Sequence, residues 1–218
     1  MNAVVSTITQ LLPAEIITTD PEQITLYSQD VFTVGPPICA VVRPRNIDEV
    51  QALVRACLER GTPIVTRGGG MSYTSGYIAS APDSVLIDMA SMDAIVEVNL
   101  EDRYVTVEAG CSWQKLHEHL APLGVRTAYW GTLSGRYATV GGGLSQNSIF
   151  WGSGQSGTAA DNVLSVSVVT GKGDLLETGS AAQQHAPPFT RHFGPDLTGV
   201  FLGDCGALGI KVRATLPL

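Results

Sequence analysis

The chain has 218 residues, of which 44% are hydrophobic and 15% are charged, a composition typical of a compact globular protein and not of a disordered one. This length suits one α/β domain, or one domain with a short appendage. The formal charge of −7, from 13 basic and 20 acidic residues without a basic stripe, argues against nucleic acid and anionic membrane surfaces as partners.

The N-terminal segment, residues 1–35, is predicted to be an arm outside the main domain. Ile8, Leu11 and Leu12 fall on one face of a short helix that ends at Pro13. The rest of the arm is expected to be extended, apart from a short turn that starts at residues 20–22, Asp-Pro-Glu. The chain start lacks a charged region before an apolar core, and no run reaches the length of a membrane span. We therefore expect a cytoplasmic protein without a membrane span.

Residues 38–66 are predicted to form a βαβ unit. An apolar strand at 38–42 precedes a helix that Asn46 can cap, with Glu49 as its capping-box partner. A second strand follows at 63–66. Because crossovers of this kind are short and right-handed, we expect the two strands to be parallel neighbours.

The rest of the chain is predicted to be mainly antiparallel, with a hairpin and a helix before the last strands. A βαβ unit followed by antiparallel strands predicts an α+β fold and argues against a doubly wound Rossmann sheet. The predicted strands are 84–88, 95–98, 104–108, 163–170, 175–178 and a last strand that runs to Leu216, and the predicted helix covers about 113–123.

Residues 67–76, Arg-Gly-Gly-Gly-Met-Ser-Tyr-Thr-Ser-Gly, follow the second strand directly. Three consecutive glycines bring backbone N–H groups close together with no Cβ in the way. Such a turn can form a concave nest for an anion such as phosphate, and Ser72, Thr74 and Ser75 add hydroxyl donors. A flexible glycine turn between two strands is the alternative interpretation.

A second glycine-rich stretch covers residues 129–157. Its segment 139–143, Thr-Val-Gly-Gly-Gly, could open a short helix whose free N–H groups face a phosphate or a ring carbonyl. Residues 152–157 match Gly-x-Gly-x-x-Gly, but that fingerprint requires a strand before it and a helix after it. Since 163–170 reads as a plain strand, we reject the Rossmann interpretation.

The four cysteines lie far apart, at Cys39, Cys57, Cys111 and Cys205. Because no Cys-x-x-Cys pair occurs, zinc and iron–sulfur sites are unsupported, and four buried, reduced thiols are expected. The His-Glu-His run at 117–119 is not a metal pair either, since residues i and i+2 face different sides of a helix. No metal site is predicted.

Taken in order, these motifs resemble the flavin-binding domain of the p-cresol methylhydroxylase and vanillyl-alcohol oxidase superfamily, the PCMH-type FAD-binding domain. The resemblance implies a domain over residues 36–218 with two α+β subdomains, at about 36–90 and 91–218. Most members continue into a cap domain, which is absent from this sequence. The landmarks that carry the resemblance are 42–44, 67–72, 134–143 leading to 161–163, and 203–210.

The resemblance also implies a site for FAD. The first glycine loop would wrap the pyrophosphate, the second would lie along the pyrophosphate and the ring, and a Gly-Ile pair near the end would contact the cofactor by its backbone. Many members carry a histidine, covalently attached to the flavin, where Met71 stands, so we expect FAD to be bound non-covalently. The implied cofactor-binding residues are Arg67, Gly68, Gly69, Gly70, Met71, Ser72, Gly76, Ser134, Thr139, Gly141, Gly142, Ser145, Gly209 and Ile210.

The function implied is that of an FAD-dependent oxidoreductase, or of its flavin-binding part, in which a hydride moves from an organic substrate to the flavin. No catalytic acid or base is predicted. Tyr73, Tyr137, Trp151 and His185 could lie beside the flavin ring, but three buried aromatics and a loop histidine are the preferred interpretation. One alternative is a non-catalytic FAD-binding module that needs a partner subunit or a cap. Another is a protein that binds a different diphosphate, since the same N–H nests would hold either ligand.

Overall fold

A computed structural model describes residues 2–218, which form two β-sheets with short helices packed against them. The strands are β1 (Ile17–Thr18), β2 (Ala40–Val42), β3 (Ile64–Arg67), β4 (Val85–Asp88), β5 (Ile95–Asn99), β6 (Tyr104–Glu108), β7 (Ser165–Val169), β8 (Leu175–Glu177) and β9 (Ile210–Pro217). The helices are α1 (Ala3–Leu11), α2 (Pro21–Tyr27), α3 (Ile47–Glu59), α4 (Trp113–Leu120), α5 (Val140–Ser145), α6 (Ser153–Ser156) and α7 (Leu197–Val200). Short 3₁₀ turns lie at Ala14–Ile16, Met89–Ser91, Ala121–Leu123, Ala159–Asn162 and Gly179–Ala182.

The first sheet has the strand order β1-β2-β4-β3, and the prediction that β2 and β3 are neighbours is wrong. Both strands pair in parallel with β4, which lies between them. All four residues of β4 are buried. A strand that is apolar on both faces is best covered at the centre of a sheet, so β4 takes that place and not the edge.

Helix α3 begins and ends as predicted from its capping residues. The Asn46 side chain accepts a hydrogen bond from the Glu49 N–H at 2.9 Å. The Glu49 carboxylate accepts from the N–H of Arg45 at 2.7 Å, one residue before the expected partner. The helix buries its apolar face against the first sheet, and the chain leaves it through Gly61 at φ +61°.

The N-terminal segment is not an extended arm. Val4 and Ile8 of α1 are buried in the same core as α3, whereas Leu11, predicted on that face, is 58% exposed. β1 adds an antiparallel strand beside β2, and Asp20 caps α2 by accepting from the Gln23 N–H. The segment covers apolar surface that the first sheet would otherwise expose. The division of the chain at residue 35 stays a prediction.

The second sheet is antiparallel throughout, with the order β5-β6-β9-β7-β8. The predicted hairpin is β5–β6 and is confirmed, and β7 and β8 form a second antiparallel pair of consecutive strands. The last strand, β9, lies at the centre between β6 and β7. Helix α4 lies in the range predicted for it and buries Trp113, Leu116 and Leu120, which recur at helical spacing.

The two sheets share a core. Val169, Ile210 and Val212 of the second sheet pack with the buried residues of the first sheet and of α1 and α3. The α+β prediction, with a βαβ half followed by an antiparallel half, is confirmed. Residues 2–218 contain these two sheets and their helices, and no cap domain lies in this part of the chain.

Candidate functional site

A cavity of about 480 Å³ lies where three loops meet: the glycine loop after β3, the segment that leads into α5, and the loop before β9. Ligand pockets in proteins typically measure about 300–1,000 Å³. Most of the predicted cofactor-binding residues lie on its wall. These are Gly68, Gly69, Gly70, Met71, Ser72, Gly76, Ser134, Thr139, Gly141, Gly142, Ser145 and Gly209.

The first glycine loop touches the second loop backbone against backbone. A Cβ at Gly69 would lie inside the van der Waals radius of the Tyr137 carbonyl oxygen, and a Cβ at Gly68 would meet the Thr139 hydroxyl. Gly70 has φ +67°, a left-handed conformation that L side chains rarely adopt. The three glycines are therefore required by close approach and backbone conformation, and not by flexibility.

The first loop also presents unused backbone donors. Within residues 2–218, the N–H groups of Gly69, Gly70 and Met71 donate to no protein acceptor. Tyr77 holds the loop from below, because its hydroxyl donates to the Gly70 carbonyl at 2.8 Å. Half-buried N–H groups without an acceptor are unfavourable, so an anionic ligand in the cavity would satisfy them.

The second loop does not offer the free N–H groups that were predicted for it. Thr139 caps α5, and its side chain accepts from the Gly142 N–H at 3.2 Å. The Gly141 N–H donates to the Ala109 carbonyl, and the Gly143 N–H to the Thr139 carbonyl. These N–H groups already have protein acceptors, because the start of α5 packs against the turn after β6 and is capped by Thr139. The second loop contributes the shape of the wall and not a nest.

Two predicted residues lie outside the cavity wall. The Arg67 guanidinium stacks over the rings of Tyr27 and Tyr77, 4.7 and 5.4 Å from their centroids, and supports the glycine loop from behind. Ile210 is buried in the first core. Neither side chain lines the cavity, and the backbone contact that the resemblance implies for Ile210 stays a prediction.

Sequence reasoning missed several residues of the wall. Gln146 joins two of the loops, since its side-chain oxygen accepts from the Thr74 hydroxyl at 3.3 Å. Tyr77 and Lys211 also line the cavity. A lysine flanked by Ile210 and Val212, directly after the Gly-Ile pair of the last loop, is a signal in the sequence that could have identified the last of these.

The prediction of four buried thiols is wrong for two of the four cysteines. Cys57 and Cys111 are buried, and desolvation raises the pKa of their thiols to about 12 and about 11. Cys39 is half-buried, and burial raises its pKa to about 11 as well. Cys205 is exposed and lies on the cavity wall.

The aromatic residues expected to be buried are on the surface. Tyr73, Tyr137 and Trp151 are 62%, 59% and 62% exposed, and Tyr73 borders the cavity. Leu133, also on the cavity wall, is 79% exposed. His185 lies in a loop, as predicted. The cavity therefore opens beside exposed apolar side chains.

The wall of the cavity carries a single charged side chain in the part of the chain that the structure describes. Among the described residues, its lining includes no Asp, Glu or His, and Lys211 is its one charged side chain. Proton transfer by a carboxylate or an imidazole is therefore not available from this wall. What the arrangement can do is bind an extended anionic ligand through backbone donors, hydroxyls and one buried cation.

Residues 38–179 match the family model described as FAD binding domain. The chain is 34% identical to mitochondrial D-lactate dehydrogenase (cytochrome) of Arabidopsis thaliana, over 82% of this chain and 30% of that protein. It is 30% identical to the glycolate oxidase subunit GlcD of Bacillus subtilis, over 82% of this chain and 36% of that protein. The chain thus spans about a third of the length of these curated relatives.

Among solved structures, the chain is similar to p-cresol methylhydroxylase with substrate bound. The TM-score is 0.84 over 99% of this chain and 42% of that chain, at 20% sequence identity. This likeness concerns the fold, and it covers both sheets and the three loops around the cavity.

Proposed function

This chain belongs to the FAD binding domain family, with FAD as its cofactor, and from that membership we propose that it is the flavin-carrying part of an FAD-dependent oxidoreductase. The predicted resemblance to the PCMH-type fold is confirmed. The single structural observation that carries the proposal is the row of N–H groups without acceptors at Gly69, Gly70 and Met71, on the wall of a cavity.

The residues of the wall fit a dinucleotide. The free N–H groups of the first loop would face the diphosphate, because an acidic chain has few cations for that purpose. Gly142 would let the cofactor approach the start of α5 without meeting a side chain, whereas the missing side chain of Gly141 makes room for Ala109. Bound FAD would supply the hydride-accepting chemistry, while these residues bind and orient it.

We propose that the cofactor is held without a covalent bond. Met71 stands on the first loop, and its thioether carries no group that can attack a flavin. After acid precipitation of the purified full-length protein, the flavin colour is expected in the supernatant. Colour that stays in the pellet would overturn this proposal and would direct attention to Cys205, the exposed thiol on the wall.

For the whole protein we propose a small 2-hydroxy acid as the substrate. The support comes from the names of two relatives, a D-lactate dehydrogenase and a glycolate oxidase subunit. The test is anaerobic mixing of the full-length protein with D-lactate or glycolate, recorded as loss of the oxidised flavin absorbance. L-lactate is a matched control for stereochemistry. An unchanged spectrum with every 2-hydroxy acid tried would reject the substrate class and not the cofactor.

A second candidate function is a flavin-binding module that acquires an active site only beneath a cap or a partner subunit. It is favoured by the absence of a carboxylate or imidazole among the described wall residues, and by the exposed Leu133 and Tyr73 at the cavity. The test measures FAD binding by residues 1–218 and the reduction of the bound flavin by 2-hydroxy acids. FAD that is bound but not reduced by any of these substrates is the expected result for a module.

A third candidate is binding of a diphosphate other than FAD. Because backbone donors recognise phosphate and not the attached ring, ADP is expected to compete with FAD for the same loop. Competition in which ADP binds more tightly than FAD would favour this candidate.

The cellular location stays a proposal as well. No helix within residues 2–218 is long and apolar enough to cross a bilayer. We propose a cytoplasmic protein, which fractionation of the source cells tests.

A further inference from the structure

A buried ion pair that the proposed function does not yet use adjoins the cavity, and one of its members lines the cavity wall. Lys211 Nζ lies 2.6 Å from Asp204 Oδ1, and the two side chains are 3% and 2% exposed. Lys211 is the first charged residue of β9, and Asp204 belongs to the loop just before that strand. Of the ion pairs within the described chain, this is the one with both partners buried.

Stability does not explain this pair. Removing two charges from water is costly, and the attraction between them often does no more than offset that cost. Burial lowers the pKa of the Lys211 ammonium, while the hydrogen bond to Asp204 acts in the opposite direction. Replacing a buried ion pair by apolar side chains of similar volume is often neutral or stabilising, so stability is a weak reason for its presence.

The pair is oriented, with its positive member at the cavity. Lys211 is among the wall residues and Asp204 is not. Asp204 is fixed from behind by the loop, since its carboxylate accepts from the N–H groups of Gly206 at 3.0 Å and Leu208 at 3.3 Å. The Lys211 ammonium therefore contacts the Asp204 carboxylate, which the loop holds in place, and its side chain also lines the cavity.

The ligand that this arrangement fits is a diphosphate. The rest of the wall offers only neutral donors, and a buried cation is screened by solvent and salt far less than a surface one. We propose that Lys211 is the cation of the cofactor site, that Asp204 positions it, and that the pair sets the affinity of the protein for the FAD diphosphate. This inference rests on the proposed function.

The experiment measures FAD binding to the flavin-free full-length protein. Lys211→Met is expected to raise the Kd for FAD about tenfold or more, the scale of one charge-assisted contact. Lys172→Met is the matched control, because Lys172 is an exposed lysine in the turn between β7 and β8. Its Kd is expected to equal that of the wild type.

A second variant controls for unfolding of the protein by Lys211→Met. Lys211→Met leaves the Asp204 carboxylate buried without its cation, which can unfold the protein. The double variant D204N/K211M removes both charges while keeping an oxygen that can accept from the loop. It is expected to fold, to bind FAD about tenfold more weakly, and to shift the ³¹P resonances of bound FAD.

The outcomes distinguish the role proposed for Lys211 from the assignment of FAD as the cofactor. A Kd for D204N/K211M within about twofold of the wild type, or a raised Kd with unmoved ³¹P resonances, would overturn the role of Lys211 and leave the cofactor assignment intact. A wild-type protein that fails to bind FAD would overturn both.

Discussion

Gly69 shows how one hydrogen atom in place of a side chain determines the geometry of the site. Its backbone lies against the Tyr137 carbonyl oxygen and the Ala138 nitrogen, which are backbone atoms and cannot turn aside as a flexible side chain could. Even the smallest side chain at this position must move one loop away from the other.

Gly69→Ala is therefore expected to lower FAD affinity by at least about tenfold, because the donors of the first loop would lose their arrangement. The measurement is quenching of flavin fluorescence on titration of the flavin-free protein. Gly154→Ala is the control, since a Cβ at Gly154 meets nothing within 4 Å. Equal affinities of the two variants would contradict the role of the first loop.

The thiols differ in their environment, and this predicts selective modification. Cys57 and Cys111 are buried with pKa values raised to about 12 and about 11, so at neutral pH almost none of either is thiolate. Cys205 is exposed on the cavity wall.

Under native conditions, iodoacetamide is expected to label Cys205 first, and peptide mass spectrometry identifies the site. Saturation with FAD is expected to slow that labelling, because Cys205 borders the proposed cofactor cavity. Labelling of Cys57 before Cys205 would contradict the burial of the former.

At the scale of elements, helix caps could be predicted from the sequence, and each contributes measurably to the free energy of unfolding. Asn46 satisfies a backbone donor at the start of α3, the longest helix of the described chain. Asn46→Ala is expected to lower the free energy of unfolding by about 1 kcal/mol. Urea denaturation measures the change, with Gln10→Ala at an exposed position of α1 as the control. A loss no larger than that of the control would show that the cap is dispensable.

The turn at Ala159–Asn162 is closed by a capping box, and this capping box predicts a dependence on pH. The Asp161 carboxylate accepts from the N–H of Thr158 at 2.7 Å and from its hydroxyl at 2.9 Å. These bonds favour the ionised form and lower the pKa of Asp161 below its ordinary value of 3.8.

The pKa of Asp161 is lower in the folded protein than in the unfolded chain. The ionised carboxylate therefore stabilises the fold fully at pH values above the ordinary pKa, and this stabilisation is lost as the pH falls through the pKa of the folded protein. Asp161→Asn is thus expected to be less stable than the wild type near neutral pH, with the difference shrinking below about pH 4. Thermal unfolding from neutral to acidic pH measures this. Glu101→Gln, which removes a surface carboxylate in the β5–β6 turn, is the control. A difference that stays constant down to acidic pH would contradict the prediction.

At the scale of the whole molecule, the two sheets are expected to unfold together, because Val169, Ile210 and Val212 of the second sheet belong to the core of the first. All three tryptophans, Trp113, Trp130 and Trp151, lie after residue 112, so fluorescence reports the second half of the chain. Circular dichroism reports both halves. Coincident urea transitions by the two probes are expected, and separate transitions would show that the halves unfold independently.

The sequence by itself determined the local elements and the order in which they occur. Apolar periodicity, the cap at Asn46 and the glycine turns depend on neighbours within a few residues, so hairpins and helices could be predicted from them. The glycine loop at 67–76 and most of the wall residues were also identified, because close backbone approach requires glycine wherever it occurs.

Only the tertiary structure decided which strands are neighbours and which donors are free. β4 enters between β2 and β3, and the Gly141 N–H bonds the Ala109 carbonyl, through contacts between residues far apart in the chain. The pairing of Lys211 with Asp204 likewise depends on how the loop before β9 folds back beside the cavity. Burial and hydrogen-bond partners of this kind arise from packing, and packing is a property of the folded molecule and not of any local stretch of sequence.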